Sequence, residues 1–183
     1  MWEVVVDTPL EQAKQPVSAL LAGPYGHPFH PILVTVPIGA WAATLCFDIA
    51  SHLVNEPAAL AQGAQWLIAI GVLGALAAAT VGFLDLLAIP SGTRAHRVGL
   101  LHMALNLTVT ALYAVGFAWR HTDYPQQEAV GIGPLALSVL GFAVLAVSGY
   151  LGGMLSYRYG VRVAGESTQA EGFGGSRITD TGR

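Results

Sequence analysis

The residues best suited to chemistry in this chain are histidines. His27 and His30 stand three apart in GHPFHPILVTVPIG (residues 26–39), and His102 lies inside a later apolar run with Asn106 four residues on. A neutral imidazole is a strong nitrogen ligand for transition metals, and two of them from separate segments can fill the axial positions of a haem iron. Imidazoles combined with a carboxylate suit zinc or non-haem iron instead, and Asp85 is an acidic residue within another apolar run. Two cofactor sets follow: haem b on His27, His30 and His102, or a divalent metal on His27, His30, Asp85 and His102. Asp85, Arg94, His96, Arg97, Asn106 and Arg158 are expected to form a supporting polar cluster around them. No Ser-His-Asp arrangement, HExxH pair, phosphate-binding glycine loop or dinucleotide fingerprint is present, so no catalytic residues are assigned.

Local signals set the first histidine pair on a helix start. Each of the two precedes a proline, which biases its backbone away from helical angles. Pro31 suits the first helical position, placing His30 at the N-cap, where the partial positive charge favours a neutral ring. Pro37 should kink the helix near the Leu33 carbonyl, and Thr35 can satisfy the group that the kink frees.

Lipid must hold these elements. Of 183 residues, 54% are hydrophobic and only 10% are charged, against about 25% charged in soluble domains. A spanning helix needs about 20 mostly apolar residues. The stretches at about 31–53, 65–89, 97–119 and 134–157 meet that length. The expected fold is therefore an all-α integral membrane protein, an antiparallel four-helix transmembrane bundle with short loops. A net charge of −3 without a basic run excludes a nucleic-acid partner. The single Cys46 excludes internal disulfides and multi-cysteine sites. Residues 1–30 lack the basic start and apolar stretch of a signal peptide.

If both termini share a side, that side carries Lys14, Arg94, Arg97, Arg158, Arg162, Arg177 and Arg183, and the other only Arg120. The bias predicts cytoplasmic termini. Asp85, His102 and the His27/His30 motif then gather at the inner end, with Trp66 and Trp119 at the outer interface. Asp48 and His52 are expected to face Arg120 and His121 in an outer structural latch. Residues 1–25 form an N-terminal segment with a short interfacial helix signature over 8–22: Thr8 as N-cap, Pro9 first, and Glu11 completing a capping box. Its apolar stripe would be Leu10, Ala13, Val17, Leu20 and Leu21. The four-helix domain covers 26–163, and the polar, glycine-rich residues 164–183 are expected to be a disordered tail. Gly71, Gly74, Ala75, Ala78 and Gly82, with Gly149 and Gly153, recur at small-xxx-small spacing, which predicts close packing within one bundle.

GHPFHPILVTVPIG, WAATLCFD (41–48), GFLDLLAIPSGTRAHRVGLLHMALN (82–106) and GYLGGMLSYRYGVRV (149–163), in that order, resemble the bacterial membrane family called domain of unknown function 2231. The likeness covers about 26–163 and implies a four-helix bundle of the bacterial inner membrane without supplying an activity. Family members often carry histidine where this chain has Tyr159. Some relatives look like fusions to Rieske-type iron–sulfur domains, which implies electron transfer and an iron–sulfur protein or a larger membrane or respiratory complex as partner. Three functions stay open: a haem b redox protein, a divalent-metal protein, and a non-catalytic accessory subunit or assembly factor.

Overall fold

The structure is a computed structural model that describes residues 8–17, 23, 26–122 and 128–173. Among these residues there are helices and turns but no strands. Apolar runs in lipid must close their own backbone hydrogen bonds, and the helix does this within each segment. Four helical stretches are long and apolar enough to cross a membrane: His30–Ser51, Ala58–Leu87, Arg94–His121 and Ile132–Arg158.

The chain opens with α1 (Pro9–Lys14), where Thr8 Oγ1 accepts from the Glu11 backbone N–H at 3.3 Å and the Glu11 carboxylate takes Lys14 Nζ at 3.2 Å. The helix stops before Pro16; of its apolar stripe Ala13 is buried, Leu10 and Val17 are exposed, and Leu20 and Leu21 lie outside the described residues.

The first span is two helices, α2 (His30–Leu33) and α3 (Thr35–Ser51), divided at Val34. Pro37 has no N–H to give, so the helix breaks one turn earlier, as its position predicts. Two details differ from expectation. Phe29 is the N-cap, so His30 is already helical despite preceding a proline. Thr35 Oγ1 donates to the carbonyl of Ile32, at 2.7 Å, rather than to that of Leu33.

The remaining spans are α4 (Ala58–Leu87), α5 (Arg94–Thr122) and α6 (Ile132–Gly153). Helix α4 starts seven residues before the apolar core of its segment because AALAQGA is itself helix-forming. Thr93 Oγ1 accepts the His96 N–H at 3.1 Å at the start of α5. Helix α6 ends in one π-helical turn (Met154–Arg158), closed by Tyr159 N–H donating to the Met154 carbonyl at 3.1 Å. Such turns cluster at functional sites. Helix α7 (Glu166–Glu171) is a short exposed helix inside the stretch expected to be a disordered tail; residues 174–183 lie outside the described residues.

Helices α3, α4, α5 and α6 pack in a ring, each against its sequence neighbour, with α3 closing on α6. The glycines fit side chains as much as backbones. A Cβ on Gly71 would strike the Trp41 indole, one on Gly74 would lie 2.6 Å from Val36 Cγ1, and one on Gly141 would lie 2.9 Å from Tyr113 Cε2. Trp41 and Tyr113 stack at 4.2 Å with 5° between their planes, in an apolar cluster with Ile68, Val109 and Leu145. This cluster divides the bundle into a histidine end, which also holds the N-terminal helix, and an Arg120 end.

At the Arg120 end, Asp48 is 0% exposed and takes both Arg120 terminal nitrogens at 2.6 Å. Arg120 Nη2 also donates to Ser138 Oγ at 2.9 Å and to the Pro134 carbonyl at 3.3 Å. The expected latch is present between these two residues. His52 and His121 take no part: both are exposed, and the His121 ring stacks on Phe117 of its own helix at 6.2 Å.

Candidate functional site

On the other side of the Trp41–Tyr113 pair lies a cavity of about 440 Å³, running from that pair to the histidine end. Its walls are mostly apolar or glycine, and its polar lining includes His30, His102, Asn106 and Asp85. A volume of about 300–1,000 Å³ with few convergent polar groups is typical of a small-molecule or cofactor site.

His30 enters from α2 and His102 from α5. Their rings stand 6.4 Å apart between centroids, at 85° to each other. His30 Nδ1 lies 2.9 Å from the Ala78 carbonyl, and His102 Nδ1 lies 2.8 Å from the Ser148 carbonyl. A carbonyl can only accept, so each Nδ1 carries the proton and each Nε2 is left with its lone pair. The glycine stripes make room for these rings. A Cβ on Gly82 would lie 2.7 Å from His30 Cε1, and one on Gly152 would lie 3.0 Å from His102 Cε1.

His102 is held on several sides. Ser148 is fully buried; its Oγ lies 3.1 Å from Nδ1 and donates to the His102 carbonyl at 3.3 Å. Asn106 Nδ2 donates to the same carbonyl at 3.0 Å and lies 3.1 Å from His102 Nε2, the ring nitrogen free to accept.

Asp85 faces Arg162, whose Nε lies 2.9 Å from Oδ1. The partners expected for it, Arg94, Arg97 and Arg158, are all exposed instead. Arg162 reaches inward because its backbone is left-handed (φ 57°), following Gly160 at φ 67°. That turn is tied to α1, with Arg162 N–H donating to the Ala13 carbonyl at 3.0 Å. Ala13, Leu86, Ile89 and Val161 pack together beneath it. Helix α1 and the 160–162 turn therefore cap the cavity mouth.

His27 and His96 do not line the cavity. Among the described residues no three His, Cys, Asp or Glu side chains gather into a metal-holding group. Sequence reasoning missed Arg162 and Ser148. A solitary serine in the apolar run LAVSGYLGG was the available signal for Ser148. Arg162 gave none, since its left-handed backbone is not encoded by a glycine or asparagine.

No curated protein and no solved structure matches the chain. A family model does, over residues 26–165, which takes in every spanning helix and the turn that caps the cavity. The chain belongs to that family, domain of unknown function 2231, described as predicted membrane proteins.

Proposed function

We propose that the cavity binds haem b between His30 and His102 and that the protein is a membrane electron carrier. The observation that carries this reading is the pair of pinned imidazoles facing one glycine-lined space. Two imidazole–metal bonds of about 2 Å, with about 1.1 Å from each nitrogen to its ring centre, put two axial rings roughly 6.2 Å apart. The observed separation is 6.4 Å. Donation of the remote ring N–H to a backbone carbonyl is the usual support of a metal-bound histidine, and both rings have it.

The donor count favours haem over a bare ion. Zinc in a protein site takes three or four protein ligands, and among the described residues two imidazoles meet here without a third metal-ligating group. A tetrapyrrole brings four nitrogens of its own and asks the protein for two. The excess of basic residues beside the histidine end supports placing that end at the cytoplasmic face of the inner membrane. A redox partner such as an iron–sulfur protein or a respiratory complex would exchange electrons there.

The test is the visible spectrum of detergent-purified protein, oxidised and then dithionite-reduced. A Soret band with sharp reduced α and β bands, lost in His102→Ala and kept in His121→Ala, is expected. A colourless, folded protein that co-purifies with a larger complex at fixed stoichiometry refutes haem binding and favours the accessory-subunit reading.

A further inference from the structure

Three arginines at the histidine end have no partner within the described chain. Arg94, Arg97 and Arg158 are exposed, and among the described residues none of their guanidinium groups has a hydrogen bond or an ion pair. Arg94 opens the third span and Arg158 ends the fourth. These two helices run antiparallel, with His102 level with Ser148 and Gly152. Arg94 lies eight residues before His102, and Arg158 lies eight beyond Tyr150, the midpoint of that pair. Both therefore stand about 12 Å farther toward the same end, at about 1.5 Å per residue. Arg97 follows Arg94 by one turn, and α5 packs against the π-helical turn that carries Arg158. The three charges form one patch across adjacent helices.

Their depth is that of lipid headgroups. The third span has 28 residues and the fourth 27. They reach about 42 and 40 Å, beyond the hydrocarbon layer of about 30 Å but within the about 40–45 Å of a whole bilayer. Leu101, seven residues and two turns inward from Arg94, lies on the same flank of α5 and is 52% exposed. That flank thus turns from guanidinium to apolar along its length. Tyr157, beside Arg158, is 94% exposed, a position at the interface that its ring and hydroxyl suit. A phosphate carrying acyl chains matches both parts of this surface, and a free phosphate matches only the charged part. We infer that the patch holds an acidic phospholipid, its phosphate on Arg94, Arg97 and Arg158 and its chains along Leu101. Guanidinium groups bind phosphate through paired N–H donors, and basic clusters between spans bind lipid headgroups in this way. The site is independent of the haem reading.

Native mass spectrometry of the full chain in detergent, titrated with phosphatidylglycerol or phosphatidylcholine, is the test. Phosphatidylglycerol is expected to stay bound under conditions that strip phosphatidylcholine. Its affinity is expected to fall about fivefold in each of Arg94→Gln, Arg97→Gln and Arg158→Gln. Lys14→Gln removes a cation at the same end that is already paired with Glu11, and it is expected to bind as the native chain does. Excess inorganic phosphate is expected to leave the lipid in place. Equal retention of the two lipids overturns the proposal, as does native affinity in all three arginine variants. Release of the lipid by inorganic phosphate also overturns it, since the patch would then be a site for a free anion.

Discussion

Replacing Gly82 by alanine separates cofactor binding from folding. The added methyl would sit 2.7 Å from His30 Cε1 and 2.8 Å from Nδ1. Ordinary carbon contact is about 3.5 Å, so the ring must retreat from α4 by about 0.8 Å. The Ala78 carbonyl belongs to the same helix, and the 2.9 Å bond to it stretches beyond the about 3.2 Å limit of a good N–H···O bond. Losing that bond costs about 0.5–1.5 kcal/mol, while alanine for glycine in a helix returns about 0.8–1.0 kcal/mol. Unfolding free energy should therefore move by less than about 1 kcal/mol. A ligand must be held to about 0.5 Å, and removing the support of a metal-bound histidine lowers affinity about 10–100-fold. Haem titration of the apoprotein, followed at the Soret band, should show that fall in Gly82→Ala. Gly152→Ala, whose methyl would lie 3.0 Å from His102 Cε1, should lose less than about tenfold, since a shift of about 0.5 Å restores contact. Gly39→Ala, with nothing within 4 Å of its Cβ and no place in the cavity lining, should bind as the native chain does. Native haem affinity in Gly82→Ala would refute the assignment of His30 as a ligand.

At the Arg120 end, Arg120→Met leaves Asp48 charged and fully buried, which should cost about 3–5 kcal/mol. The double variant Asp48→Leu/Arg120→Met should recover most of that, because no lone charge remains; detergent-phase unfolding measures both, and equal losses in single and double variants count against the pairing. At the cavity mouth, Asp85→Asn weakens the tie to Arg162 and loosens the 160–162 turn with α1. Limited proteolysis after Lys14 should speed up while the melting temperature of the bundle barely changes; native cleavage rates would show that the tie does not hold α1.

The spans and the latch were legible because lipid punishes the alternatives. A run of about 20 apolar residues has few other fates, and an isolated Asp48 in a span needs a cation at its own depth, which Arg120 supplies. The inner partner of Asp85 was not legible. Four arginines lie near that end, and choosing among them requires the left-handed turn at Arg162, a conformation set by α1 and Val161 packing. The glycine stripes announced close approach without telling what approaches. At Gly71, Gly82 and Gly152 it is an aromatic or imidazole ring, because small positions on α4 and α6 face bulky ones on α2, α3 and α5. The convergence of His30 with His102 followed from depth alone; the absence of His27 from the cavity lining did not.

The two polar ends of the bundle differ in what they leave unsatisfied. Arg120 spends its terminal nitrogens on Asp48, Ser138 and the Pro134 carbonyl, and what that end leaves over among the described residues is a buried donor, the Arg120 Nε–H. A neutral imidazole has one donor and one acceptor nitrogen. With each Nδ1 donating to a carbonyl, His30 and His102 keep one lone pair apiece on the cavity side of the Trp41–Tyr113 seal. Asn106 Nδ2 lies beside the His102 ring, 3.1 Å from Nε2 and 3.4 Å from Nδ1, and donates to the His102 carbonyl at 3.0 Å. Nearly equal distances to the two ring nitrogens place that amide off the Nε2 lone-pair axis, so its bond to the carbonyl does not depend on what the lone pair meets. A group that met the lone pair would therefore leave no buried Asn106 donor unsatisfied, which avoids the cost of about 1–3 kcal/mol that a stranded donor carries.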